Sequence, residues 1–107
     1  MPIVGKKIKD PDEVIIAGRW GIDWIPDLVE DEKITHVDMQ MLDESGTDCK
    51  SDMLSNITII EDRYTTATVK KGESGATYQW IHRVTTSAGN ILEDYIAVVV
   101  ISNESLC

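Results

Sequence analysis

The chain of 107 residues lacks the cysteine content of a disulfide-bonded scaffold. Its two cysteines, Cys49 and Cys107, stand far apart and match no metal-binding or redox motif. Two isolated cysteines do not build a disulfide framework. We therefore expect two free thiols, with an intermolecular bridge from either cysteine as the alternative.

Positive charge is also scarce. Ten lysine and arginine residues stand against nineteen aspartate and glutamate residues, which gives a net charge of -9. Such a charge repels phosphate backbones and opposes direct binding to nucleic acid. The longest apolar run is far too short to span a membrane. The three lysines among residues 6–9 precede an Asp-Pro turn instead of the apolar stretch of a secretory signal, so we expect synthesis in the cytosol.

Signals of catalysis and of metal binding are missing as well. His36 and His82 lie on predicted strands without the spacing of a zinc site, and His82 shares its strand face with large apolar residues. No Gly-x-Ser-x-Gly motif or glycine-rich phosphate loop occurs. The acidic segment 43–48 fails the EF-hand pattern and is expected to be a solvated loop. We therefore predict no enzyme, no catalytic or metal-binding residues and no cofactor.

What the sequence does contain is a long β-hairpin near its C-terminus. Thr77–Thr86 alternates apolar and polar residues, residues 87–90 have turn chemistry, and a second strand then returns. That second strand ends in residues 95–101, which are apolar on both faces. A strand of this kind needs cover on both faces. In so short a chain, we expect another subunit to supply the second cover.

Shorter strand patterns precede the hairpin, with turn signals about every 8–12 residues. They predict an all-β fold, an immunoglobulin-like antiparallel β-sandwich of about seven strands over residues 14–107, with an extended N-terminal arm over residues 1–13. Tyr78 lies near the start of the penultimate strand, where a tyrosine can hydrogen-bond back across the corner of the sandwich. The simpler interpretation is an ordinary half-buried aromatic residue, and the two do not conflict. The other predicted strands are 14–16, 19–25, Ile34–Leu42, Leu54–Ile60 and 64–70.

The chain has three tryptophans but no phenylalanine. The simplest interpretation is that Trp20, Trp24 and Trp80 take the place of phenylalanine in the core. A sharper alternative is that one of them anchors a partner, because tryptophan is favoured at the energetic centres of interfaces. Stacking of the indole rings on a sugar is a third interpretation.

Four short motifs, in a fixed order, resemble a known protein family. They are Lys-Asp-Pro-Asp-Glu-Val at 9–14, Gly-Ile-Asp-Trp at 21–24, Gly-Ala-Thr-Tyr at 75–78 and Arg-Val-Thr-Thr-Ser-Ala-Gly at 83–89. Together they resemble small virion proteins of tailed bacteriophages, the fiber–tail adaptor or head–tail joining proteins. The resemblance implies an immunoglobulin-like virion module without catalytic activity, and it assigns no role to individual residues. Residues 39–52 depart from the family pattern through a longer and more acidic loop.

The hairpin and the resemblance together predict a non-catalytic structural protein of a tailed-phage virion, made in the host bacterial cytoplasm. It would join tail or neck components as a fiber–tail or head–tail adaptor, through symmetric contacts with copies of itself and contacts with other virion proteins. A capsid decoration protein and a carbohydrate-binding module for host adhesion are the alternatives. We expect neither membrane nor nucleic-acid partners. The candidate interface residues are Tyr95, Ala97, Val99 and Ile101 of the last strand, Asp10 and Pro11 of the arm, and Trp20.

Overall fold

The computed structural model describes the backbone of residues 3–101 and the side chains of residues 5–101. Within that range the chain is nearly all β, which confirms the predicted fold class. A 3-10 turn covers Ile25–Asp27 and a short helix, α1, covers Lys50–Met53. No helix in this range is long and apolar enough to cross a membrane. The strands of the described range are β1 (Ile3–Lys9), β2 (Gly21–Asp23), β3 (Ile34–Leu42), β4 (Leu54–Ile60), β5 (Tyr64–Val69), β6 (Thr77–Thr86) and β7 (Ile91–Val100).

The strands form two sheets that pack against each other. One sheet has four strands in the order β1-β7-β6-β3, and the other has three in the order β2-β5-β4. Every pair of neighbours is antiparallel except β1 and β7, which run parallel. The inward faces of the two sheets share one hydrophobic core. The predicted β-sandwich is therefore confirmed.

Two of the three tryptophans lie in that core. Trp24 is 1% exposed and Trp80 is 0% exposed. A buried indole needs a partner for its N–H group. The Trp24 indole donates to the Thr65 hydroxyl at 2.9 Å, and the Trp80 indole donates to the Met39 sulfur at 3.3 Å. The interpretation that tryptophan replaces phenylalanine in the core is confirmed for these two residues.

His82 also lies in the core, as its strand position predicted. The Nδ1 atom of His82 lies 2.7 Å from the Thr65 hydroxyl, and its ring centroid lies 4.5 Å from that of Trp80. Among the described residues, its Nε2 atom has no hydrogen-bond partner. Burial lowers the pKa of His82 to about 3. The ring is therefore neutral at ordinary pH and serves packing.

The first strand lies inside the segment that was predicted to be an arm. Residues 3–9 are extended, as expected, and they pair with residues 95–100 of β7 as the edge strand of the larger sheet. The positions of β1 opposite the inward residues of β7 are Gly5, Lys7 and Lys9. Because these positions are not apolar, the hydrophobic alternation that indicates a strand is absent there.

The strand predicted over residues 19–25 is shorter in the structure. β2 has three residues, and residues 17–20 before it form a bulge that is not paired with β5 as a strand. The hydroxyls of Thr68 and Thr66 accept hydrogen bonds from the first two N–H groups of this bulge, at 3.2 and 2.8 Å. These side chains replace the backbone partners that a regular strand would have had. The short strand predicted before the bulge is reduced to a single bridge at Ile15.

The corner predicted at Tyr78 is present. The Tyr78 side chain is 5% exposed, and its hydroxyl oxygen accepts the backbone N–H of Glu73 at 3.0 Å. This bond ties the start of β6 to the loop that precedes it.

Candidate assembly surfaces

The two faces of β7 have different surroundings. Ile96, Val98 and Val100 point into the sandwich and are at most 1% exposed. Tyr95 and the residues that alternate with the buried set point away from the core and are half-buried. Strand β7 is therefore apolar on both faces, as the sequence indicated, and its outer face lies on the outside of the described sandwich.

Neighbouring strands extend this apolar surface. In the register of the sheet, Ile8 of β1 lies beside Val99, and Ile81 of β6 lies beside Tyr95. Ile8 is 60% exposed, so its side chain adds apolar surface on the outside of the sheet. We call this surface the β7 patch; it consists of Ile8, Ile81, Tyr95, Ala97 and Val99.

Polar side chains surround the β7 patch. Lys6 lies beside Ala97 on the edge strand. At the end of the patch beyond Ile81 and Tyr95, Arg83 and Glu93 lie in register across β6 and β7, with the Arg83 Nε atom 4.0 Å from a Glu93 carboxylate oxygen. An apolar centre with a polar rim is the usual anatomy of a protein–protein interface.

The candidates from the arm lie in a closed turn at the end of β1. The Asp10 carbonyl accepts the backbone N–H of Glu13 at 3.0 Å, and Pro11 lies within this turn. Ile101 is adjacent, because its N–H donates to the Lys9 carbonyl at 2.9 Å. The structure thus brings Asp10, Pro11 and Ile101 together at one corner of the larger sheet.

Lys9 anchors this corner. Its side chain is 1% exposed, and the ammonium donates to the carbonyls of Asp10 at 2.7 Å and Lys71 at 2.5 Å. Burial lowers the pKa of Lys9, while the nearby carboxylate of Glu13 acts in the opposite direction. Because a buried ammonium needs such acceptors, the turn is fixed to the body of the domain.

Trp20 lies in the segment just before β2, next to the other sheet and away from the remaining candidates. It is half-buried and packs against the core, and its carbonyl accepts the Thr66 hydroxyl at 2.6 Å. The sequence-predicted interface residues therefore fall into three places: the β7 patch, the Asp10 corner and the bulge before β2. The half-exposed Trp20 ring is the one indole near the surface, since Trp24 and Trp80 are buried.

At one end of the sandwich, the Glu32 carboxylate accepts hydrogen bonds from the turn between β6 and β7. Glu32 accepts the Thr86 hydroxyl at 2.5 Å and the Asn90 side-chain amide at 3.0 Å. Its other oxygen accepts the backbone N–H of Val29 at 3.0 Å. The hydrogen bond from Thr86, followed by those from Val29 and Asn90, lowers the pKa of Glu32. Sequence reasoning missed this role of Glu32, because its partners Thr86 and Asn90 lie 54 and 58 residues away in the chain.

The opposite end of the sandwich carries an open acidic groove of about 560 Å³. Its walls include Asp43 and Glu73, and Cys49 lies beside them. Asp43 accepts the backbone N–H groups of Ser45 and Thr47, both at 2.9 Å, so the loop satisfies this carboxylate itself. Among the described residues, no group of three or more potential ligands is arranged to hold a metal ion.

The Cys49 thiol in this groove is free. Burial raises the pKa of Cys49, and the neighbouring carboxylates, Asp43 first among them, raise it further. A protonated thiol is a weak nucleophile. Cys107 lies outside the described residues, so its state stays a prediction.

A family model described as podophage GP4 fiber-tail adaptor protein gp77 matches residues 9–99. The chain belongs to this fiber-tail adaptor family. The match covers the sandwich from the last residue of β1 nearly to the end of β7, and it confirms the resemblance drawn from the four motifs. Fiber-tail adaptors are structural components of the phage virion. A search of curated proteins finds no match to the chain.

Proposed function

We propose that this fiber-tail adaptor joins the fibers of a podophage to its tail by packing its β7 patch against a second copy of itself. The observation that supports the proposal is the partly exposed apolar surface on the outer face of the larger sheet, which runs along β7 from Tyr95 to Val99. Contiguous apolar surface on a small soluble domain usually marks a site of protein interaction.

The sheet order supports an immunoglobulin-like topology. The order β2-β5-β4 corresponds to strands B, E and D of that fold, and β3-β6-β7 corresponds to C, F and G. Tyr78 then lies near the start of strand F, the position of the tyrosine corner. We infer that the chain is an immunoglobulin-like module of the virion.

Opposite charges at the rim of the β7 patch favour a self-complementary contact. Lys6 lies beside Ala97 on the β1 side of the patch, and Glu93 lies on β7 two residues before Tyr95. A two-fold contact pairs the same two groups twice, the Lys6 of each copy with the Glu93 of the other. These charge pairs favour the correct orientation of the two copies.

A second contact is needed for an adaptor to join unlike components. We assign it to the Asp10 corner, with Asp10, Pro11 and Ile101, which lies at the end of the sheet beside the patch. Trp20 is a further candidate, because the bulge that carries it lies on the opposite sheet. We infer that the chain is made in the host bacterial cytoplasm and acts as a structural component of the virion.

The test is Val99→Glu, compared with Val29→Glu. Both substitutions replace the same side chain with a carboxylate, but Val29 is 68% exposed in a loop outside the β7 patch. We expect Val99→Glu to fold as a monomer and to reduce incorporation into particles at least tenfold, whereas Val29→Glu incorporates normally. Normal incorporation of a folded Val99→Glu protein would refute the self-contact.

A further inference from the structure

The outermost strand of the larger sheet offers a second kind of contact. β1 is seven residues long and stands at the end of the strand order, with β7 on one side. It ends at the turn containing Pro11, which follows Asp10 directly. A strand in this position leaves half of its backbone hydrogen-bonding groups without a strand partner. In β1, these outward N–H and carbonyl groups belong to alternate residues of the strand.

The ladder shows which groups face outwards. The Lys9 carbonyl accepts the N–H of Ile101, so the backbone of Lys9 points towards β7. In a parallel pair, the N–H and carbonyl groups of alternate residues point to the same side. The backbone groups of Lys6 and Ile8 therefore point away from β7. We call this side of residues 3–9 the β1 edge.

The charge of the β1 edge sets it apart from the rest of the molecule. The chain carries a net charge of -9, yet Lys6 and Lys7 are consecutive and exposed on this strand. Lysines on an edge strand oppose pairing with an identical edge, because like charges then meet. The same lysines favour a strand that carries carboxylates.

We propose that the β1 edge binds an extended, acidic segment of another virion protein, which adds to the sheet as a fifth strand. Backbone hydrogen bonds to Lys6 and Ile8 supply the register, and carboxylates on the added strand pair with Lys6 and Lys7. This inference rests on the proposed adaptor function and names the chemistry of one of its partners. It differs from the contact at the β7 patch, which involves side chains of a sheet face.

The decisive variant is Ile8→Pro, with Ile8→Ala as its matched control. Proline removes the outward N–H of residue 8 and leaves the ladder to β7 intact, and edge strands tolerate proline in this position. Alanine removes the same side chain but keeps the N–H. We expect the two proteins to melt within a few degrees of each other, so a difference in binding reports the missing N–H group.

The probe is a capped heptapeptide, Val-Glu-Glu-Val-Glu-Glu-Val, titrated into the purified ¹⁵N-labelled chain. Its consecutive glutamates present carboxylates on both faces of an added strand, as pairing with Lys6 and Lys7 requires. We expect the amides of Lys6 and Ile8 to shift and to gain protection from hydrogen exchange. A peptide with lysine in place of glutamate should bind about tenfold more weakly. Ile8→Pro should also weaken binding of the acidic peptide about tenfold relative to Ile8→Ala.

Three outcomes would overturn the inference. The acidic peptide fails to bind, the acidic and the lysine peptides bind equally, or Ile8→Pro and Ile8→Ala bind the acidic peptide with equal affinity. Particle assembly separates this outcome from failure of the proposed function. If the peptide results fail while Val99→Glu still blocks incorporation, the added strand is wrong and the adaptor role stands. If the peptide results hold but neither Val99→Glu nor Ile8→Pro alters the particles, the proposed adaptor contacts are wrong.

Discussion

The Thr86 hydroxyl donates a 2.5 Å hydrogen bond to the Glu32 carboxylate, across 54 residues of sequence. This contact joins the turn of the closing hairpin to the loop before β3. The Asn90 side chain donates to the same oxygen, so both ends of the hairpin turn are held by one residue. Glu32 therefore fixes the turn between β6 and β7 to the loop before β3.

We expect Glu32→Gln to lower the melting temperature, with Glu30→Gln as the control. The glutamine amide group places a donor where Thr86 and Asn90 already donate, whereas Glu30 is exposed in the neighbouring loop. The pKa of Glu32 is lowered in the folded state. The ionised carboxylate therefore contributes to the free energy of unfolding in full above the ordinary pKa of glutamate, and this contribution is lost as the pH falls below that value. Equal melting temperatures of the two variants would contradict this role.

Acid should destabilise the protein through His82. The pKa of His82 falls from 6.5 to about 3 on burial, so the neutral form is favoured in the folded state. The contribution of neutral His82 to the free energy of unfolding is therefore complete above pH 6.5 and declines as the pH falls towards 3. The loss amounts to at most about 1.4 kcal/mol per pH unit.

His82→Gln tests this statement, because glutamine keeps a polar group near Thr65 and does not titrate. Urea unfolding at several pH values between 7 and 4 should show a shallower decline of the unfolding free energy than in the parent protein. The exposed His36, changed to glutamine, is the control for replacing a histidine outside the core. The same slope in His82→Gln as in the parent would contradict the assignment.

A single methyl group at Gly21 should also destabilise the sandwich. A β-carbon there would lie 2.3 Å from the Thr65 carbonyl oxygen and 2.8 Å from the ring of Tyr64, whereas one at Gly5 meets nothing within 4 Å. We expect Gly21→Ala to cost about 1–3 kcal/mol of unfolding free energy. Gly5→Ala should change it by less than about 0.5 kcal/mol. Urea unfolding of the two variants checks this, and equal stabilities would show that the chain relaxes around Gly21.

The closing hairpin could be predicted from sequence because its information is local. Alternation over Thr77–Thr86 indicated which residues are buried, and Tyr78 and His82 lie in the interior as expected. The sequence also indicated that β7 is apolar on both faces, because residues 95–101 form an uninterrupted apolar run. Each of these features depends on residues that are close together in the chain.

The remaining features depend on pairing between distant segments. Ile8 joins the β7 patch only because β1 lies parallel to β7, and no local pattern at residues 3–9 indicates that neighbour. Glu32 looks like part of an exposed acidic run until Thr86 and Asn90 are brought against it. The bulge before β2 is held by threonine hydroxyls of β5. The sequence of residues 19–25 alone does not indicate that contact.

The most direct test of the account is a cryo-electron microscopy reconstruction of the fiber–tail junction of the assembled particle. We predict symmetric copies of the chain at that junction, with Tyr95 and Val99 of each copy buried against the same face of a neighbouring copy. A reconstruction in which the chain is located there with its β7 patch open to solvent, or in which the chain is found only on the capsid, would contradict the account.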